Sequence, residues 1–154
     1  MSIQTMRLPT ATVADLWRWG PCGGQDRWGE LVDSYEPEPW TAIDVLDYRT
    51  LPRRWVSDAD RLWVVLRPDL VPGRVLHEFA CVCAERALTR EREAGREPDP
   101  RTWAAITVKR RWLCGEATDV ELAAARDAAR AAERAQQVRD LRRLLRQWRD
   151  GWGR

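Results

Sequence analysis

Few residues in this chain could do covalent or metal chemistry. His77 is the only histidine in 154 residues, which excludes a metal site with two imidazole ligands and any mechanism that needs two imidazoles. His77-Glu78 opens like the His-Glu-x-x-His helix of zinc peptidases, but Cys81 stands where the second histidine belongs. On a helix His77 and Cys81 share one side at i, i+4, the geometry of a Cys–His nucleophile pair or of part of a metal site. Cys83 would point about 200° away from Cys81 and could not join it on one ion without breaking the helix. Two readings stand, a structural histidine beside a buried cysteine or a catalytic or ligating pair. The first is favoured, because an unpaired cysteine usually packs as a small hydrophobe. Gly23-Gly24 lacks the Lys and Ser or Thr of a phosphate-binding loop, since Gln25-Asp26-Arg27 follows. Carboxylate pairs such as Asp58 with Asp60 and Glu36 with Glu38 arise freely in a chain that is 32% charged. No catalytic, cofactor-binding or metal-ligating set is assigned, and a non-enzymatic protein that acts by binding is expected.

Recognition has more to work with. Arg126, Arg130 and Arg134 follow one another at i, i+4, Arg139, Arg142, Arg143, Arg146 and Arg149 extend the charge, and Trp148 and Trp152 could stack on bases or guanidinium groups. The net charge of +2 hides an asymmetry: residues 1–70 carry 8 basic and 11 acidic groups, residues 71–154 carry 18 and 13. Such a basic tail permits nucleic-acid binding without demanding it. An acidic protein partner fits as well, because Arg and Trp dominate interface hot spots. The plainer reading is a solvated helix face carrying Asp127–Arg130 and Asp140–Arg143 pairs. Candidate partner contacts are Arg142, Arg143, Arg146, Trp148, Arg149 and Trp152.

The elements that must position these residues read as all-α. A Ser or Thr followed three residues later by an acid recurs at Thr12/Asp15, Thr41/Asp44, Ser57/Asp60 and Thr118/Glu121, each able to cap a helix start. Helices are expected at about 12–19, 22–33, 42–48 and 58–66. From Pro72 they lengthen: Arg74 to Ala94 with an inward face of Leu76, Phe79, Ala80, Cys83 and Ala87, stopped by Gly95; Asp99-Pro100 to Cys114, stopped by Gly115; and Thr118 to about Trp148. The last helix has an apolar stripe of Val120, Ala124, Ala128, Ala131, Ala135, Val138, Leu141, Leu145, Trp148 and Trp152. Its large residues from Val138 on follow a coiled-coil-like 3, 4 spacing. The architecture expected is a short-helix region, 1–70, laid on a helical hairpin or three-helix bundle, 71–154, in one compact domain. Strand signals are nearly missing. Of the ten tryptophans, Trp63, Trp103 and Trp112 fall on apolar faces and are expected in the core.

No stretch free of Asp, Glu, Lys and Arg exceeds seven residues, far short of the roughly 20 apolar residues of a spanning helix. The start, Met1-Ser-Ile-Gln-Thr-Met-Arg7, has no secretory pattern, so a cytoplasmic protein with reduced cysteines is expected. The 25 Arg against one Lys, with no Asn, fit a GC-rich coding sequence better than thermal adaptation, which usually enriches Lys as well.

Several ordered segments carry a resemblance: Leu76-His-Glu-Phe-Ala-Cys-Val-Cys-Ala-Glu-Arg-Ala-Leu88, Asp99-Pro-Arg-Thr-Trp-Ala-Ala-Ile106, Lys109-Arg-Arg-Trp112, Gly115-Glu-Ala-Thr-Asp119 and the Ala-Arg repeats after Leu122. Over roughly residues 70–135 the chain resembles the Imm-5-like immunity-protein domain of phages, prophages and bacteria. Trp19-Gly-Pro-Cys22, Gln25, Asp60-Arg-Leu-Trp63 and Leu66 are similar to the front of phage-borne members. The chain departs from that pattern at Gln136-Gln-Val-Arg139, where many relatives continue an Ala-rich repeat. The resemblance implies a helical protein that binds and blocks a toxin, or a host defence or transcription protein if phage-encoded and acting in the host cytoplasm. It brings no catalytic residues and no cofactor. The rival reading is an Arg-rich nucleic-acid binder.

Overall fold

The computed structural model describes residues 7–22, 28, 39–47, 49 and 56–149. Of these, 71% are helical, and the fold is all-α with one two-residue β-ladder. The chain divides into two compact units, Met1–Leu76 and His77–Arg154.

The first unit contains β1 (Thr10–Ala11), α1 (Val13–Arg18), β2 (Trp40–Thr41), α2 (Ala42–Leu46) and α3 (Asp58–Val65). The two strands are antiparallel, with Thr10 opposite Thr41 and Ala11 opposite Trp40. Each strand runs into a helix through a threonine cap: Thr12 and Asp15 close a reciprocal capping box on α1, Thr41 and Asp44 on α2. Ser57 and Asp60 do the same for α3. Aspartate therefore serves as well as glutamate here, since its carboxylate receives both the cap N–H and the cap hydroxyl at 2.7–3.2 Å. The ladder escaped sequence reading because two residues are too few for alternation to show.

Ala11, Leu16, Trp28, Trp40, Val45, Val56, Val64, Val65 and Leu70 form the buried core of this unit. Trp28 and Trp40 are its buried aromatics; Trp63 only flanks it, half-exposed. Arg61 is 2% exposed and donates from Nη1 to the Val45 carbonyl at 2.6 Å, joining α3 to α2. Arg67 lies 4.2 Å from the Trp63 ring centroid and 5.7 Å from that of Trp19, a pair of cation–π contacts. The helix expected at 22–33 lies outside the described residues except for Cys22, which is in a turn, and Trp28, and Trp55 lies outside them entirely.

Three longer helices follow: α4 (Gly73–Glu93), which begins in the first unit and runs mostly in the second, α5 (Pro100–Leu113) and α6 (Asp119–Arg149). Gly95 and Gly115 each take a φ of +76° and close a Schellman motif. Arg96 N–H donates to the Glu91 carbonyl and Gly95 N–H to that of Arg92; Glu116 to Arg111 and Gly115 to Trp112 repeat the pattern. Asp99 caps α5, with Pro100 at its first helical position. Thr118 and Glu121 bond reciprocally at the start of α6.

The inward faces of α4 and α6 differ from those expected. On α4 the buried residue is Cys81, with Leu76, Ala84 and Leu88 half-buried, whereas Phe79 and Cys83 are exposed and Ala80 and Ala87, also exposed, line an open cleft toward α5 and α6. On α6 Leu122 and Ala132 are buried and Ala125, Ala128 and Ala129 half-buried, so of the expected stripe Ala128 faces inward whereas Val120, Ala124, Ala131 and Ala135 are exposed. Both faces are turned by one residue, about 100°. On α4 the reason is electrostatic. Glu78 and Glu85 share the inward stripe with Cys81 and Leu88, and α5 meets them with Arg110. Its Nε donates to Glu78 Oε1 at 2.9 Å and its Nη2 to Glu85 Oε2 at 2.9 Å, while Nη1 also contacts Glu85. Two acids made the packing face look solvated. On α6 alanine occurs on every side, so apolar spacing alone could not select one.

Candidate functional site

Past Ala132, α6 is largely exposed, although Glu133, Gln136, Arg139 and Asp140 still line an open depression with Pro98 and Asp99 of the α4–α5 link. Every described side chain from Glu133 to Gln147 is exposed except the half-buried Asp140. Val138, Leu141, Leu144 and Leu145 are 39–57% exposed, and they lie together within about two turns of one helix. At about 100° per residue they occupy an arc of roughly 120°, and Arg139, Arg142, Arg143 and Arg146 occupy a second arc centred roughly 140° away. The result is an uncovered amphipathic helix with one apolar and one basic face.

The arginines differ in what they hold. Arg143 pairs with Asp140 at 3.2 Å, and Arg139 donates to Gln136 Oε1 from Nε at 3.1 Å and from Nη2 at 2.6 Å. Gln136 in turn donates to Asp140 at 3.0 Å. Arg142 and Arg146 have no carboxylate partner among the described residues. Together with Arg139, Arg143 and Gln147 they border a shallow depression of about 390 Å³. The surface thus offers these two guanidinium groups, one turn apart, beside four exposed aliphatic side chains. Trp152 and the side chains of Trp148 and Arg149 lie outside the described residues, so of the expected contacts Arg142, Arg143 and Arg146 are brought together here. The ion pairs of a solvated face are also present, Arg130–Asp127 at 3.7 Å and Arg143–Asp140. They do not include Arg142 or Arg146.

The His77–Cys81 region lies at the other end of the second unit. His77 is exposed and stacks edge-on against Trp112, ring centroids 5.8 Å apart. Cys81 is buried; burial, followed by the Glu78 carboxylate, raises its pKa above the ordinary thiol value, the reverse of what activates a nucleophilic cysteine. Cys83 is exposed on another side of α4. Among the described residues no three His, Cys, Asp or Glu side chains converge as a metal site would require. Trp103 and Trp112, expected in the core, are half-buried. Trp103 carries Arg92 at 4.9 Å from its centroid, and Trp112 carries Lys109 at 3.8 Å and donates from Nε1 to Asp119 at 2.7 Å.

Sequence reasoning passed over an open cleft of about 560 Å³ between α4 and the α5–α6 pair. Four of its twelve lining residues are alanine, and His77, Thr102, Lys109 and Arg126 bring polar groups to it. The available signal was a run of small residues at 3, 4 spacing on two helices, Ala80, Ala84 and Ala87 with Thr102 and Ala105. Among the described residues no helix is long and apolar enough to cross a membrane. Comparison of the chain with protein-family models, characterised proteins and solved structures found no match.

Proposed function

We propose that this is a non-enzymatic binding protein that recognises an acidic protein partner through the uncovered half of α6 and neutralises it by occupying its surface. The observation that carries this reading is the juxtaposition of Arg142 and Arg146, which have no carboxylate partner among the described residues, with exposed Val138, Leu141, Leu144 and Leu145 on one two-faced helical segment. A partner groove with apolar floor and acidic rim would cover the aliphatic face and supply counter-charge to the basic one. Arginine suits such a rim because its planar fork binds carboxylates in pairs of hydrogen bonds.

The aliphatic arc favours a protein over a nucleic acid. A helix that tracks phosphates needs its cations and aromatic stacking groups, not four leucine-sized side chains left in water. The resemblance to Imm-5-like immunity proteins supports the same reading, since such proteins act by blocking. We place the interaction in a reducing compartment such as the cytoplasm, where the four free cysteines would stay reduced.

The test compares the wild type with a Leu141→Ser/Leu145→Ser/Arg142→Glu/Arg146→Glu variant as bait in quantitative affinity capture. These positions are solvent-exposed, so circular dichroism should be unchanged. An acidic protein enriched by the wild type and lost with the variant supports the reading. Equal capture by both, or nucleic acid retained in place of protein, overturns it.

A further inference from the structure

The cleft between α4 and the α5–α6 pair is independent of the α6 surface and calls for a ligand of its own. His77, Ala80, Ala84, Ala105, Lys109 and Arg126 are among the residues that line it. Small side chains on facing helices leave about 560 Å³ unfilled, within the range of small-molecule sites. Its two cations have no carboxylate partner among the described residues, although the Lys109 ammonium lies 3.8 Å from the Trp112 ring centroid. The inward carboxylates of α4, Glu78 and Glu85, are both held by Arg110, and Glu121 of α6 is engaged by Thr118 and Arg111. Lys109 and Arg126 therefore have no carboxylate partner among the described residues. Burial lowers the Lys109 pKa, and the nearby Arg126 charge lowers it further, although Cys81 opposes this. An entering anion would offset the Arg126 repulsion and favour the charged ammonium.

We propose that this cleft binds an amphiphilic carboxylate, with its apolar tail between the alanines of α4 and α5 and its head group on Lys109 and Arg126. The head meets a compact ammonium and a planar guanidinium that line the same cleft, and the tail displaces water from its apolar wall. Tail and head group are both required, because Ala80, Ala84, Ala105 and Ile106 give the tail its apolar contact and Lys109 and Arg126 give the head its counter-charge.

The molecule carries its own reporters, since His77 is its only histidine and Lys109 its only lysine. Protein labelled with carbon-13 in lysine and histidine gives one side-chain signal set for each, and is titrated with decanoate, decanol and acetate. Decanoate is expected to shift both signals saturably and to bind at least tenfold more tightly than decanol, with no saturable response to acetate. In the Lys109→Met/Arg126→Met variant, read through His77, the decanoate advantage should disappear. Ala80→Phe, at an exposed wall position, should weaken decanoate at least tenfold while leaving the fold intact by circular dichroism. Equal binding of decanoate and decanol by the wild type, no saturable shift with decanoate, or decanoate binding untouched by Ala80→Phe overturns the proposal. So does displacement of the same signals only by an acidic helical peptide, which would make the cleft a protein-docking groove.

Discussion

Arg110 Nη2 of α5 donates to Glu85 Oε2 of α4 at 2.9 Å, and through this bond the two helices share a face that apolar spacing does not reveal. The hydrogen bonds to Glu85 first, then to Glu78, raise the Arg110 pKa above its ordinary value, so the guanidinium is charged at any pH at which the protein folds. Replacing Arg110 with Gln leaves two carboxylates on the inward stripe without their counter-charge. The variant should melt below the wild type, and the gap should narrow as salt is raised, because these groups are partly exposed. Thermal melts at low and high ionic strength check this; a melting temperature equal to the wild type would contradict it.

Arg61 makes the corresponding contact in the first unit, where its buried side chain donates to the Val45 carbonyl. Arg61→Ala should cost about 1–3 kcal/mol, the usual penalty for leaving a buried acceptor unpaired. Denaturant unfolding followed by tryptophan fluorescence reads it, with Trp28 and Trp40 as buried reporters. A loss below about 0.5 kcal/mol, the level of an ordinary surface change, would contradict this role.

The helix caps make stability depend on acid. Asp99 is held at about 2, below its usual 3.8, first by the Arg101 side chain and then by the Arg101 backbone N–H. The backbone and hydroxyl donors of Thr12, Thr41 and Thr118 likewise lower Asp15, Asp44 and Glu121. A carboxylate whose pKa is lower in the folded state stabilises the protein above its unfolded value, and this contribution fades as pH falls toward the folded one. Melting temperature should therefore drop between about pH 4 and about 2, and Asp99→Ala should flatten the slope in that window. Parallel wild-type and variant curves would contradict the assignment.

Thiol reactivity separates Cys81 from the other cysteines. Cys22, Cys83 and Cys114 are exposed and Cys81 is buried, with its pKa raised by burial. At neutral pH three thiols should react quickly with a disulfide reagent, and Cys81 should wait for local or global opening. Rapid labelling of Cys81 in the native protein would revive the nucleophile reading that the sequence left open.

Much of the fold was legible because its punctuation is local. Thr12/Asp15, Thr41/Asp44, Ser57/Asp60 and Thr118/Glu121 marked helix starts, Asp99-Pro100 marked another, and Gly95 and Gly115 marked ends, each through bonds within a few residues. The faces of α4 and α6 were not legible, because they depend on what α5 presents. Arg110 turns two glutamates inward, and alanine gives no preference to any side. The arginines of the α6 surface could be read directly, but their partners could not. Only the structure distinguishes Arg143, tied to Asp140, from Arg142 and Arg146, which have no carboxylate partner among the described residues. The cleft at Lys109 and Arg126 was hidden for the same reason, since small residues signal close packing as readily as an unfilled space.

The central claim is that the uncovered half of α6 binds an acidic protein. The most direct measurement is quantitative capture with the wild type and with Leu141→Ser/Leu145→Ser/Arg142→Glu/Arg146→Glu, run beside anionic vesicles and mixed nucleic acid at matched salt. We expect an acidic protein held by the wild type, at least tenfold depleted with the variant, and no comparable retention on vesicles or nucleic acid. Capture that is indifferent to the four substitutions, or binding confined to vesicles or nucleic acid, would contradict the account.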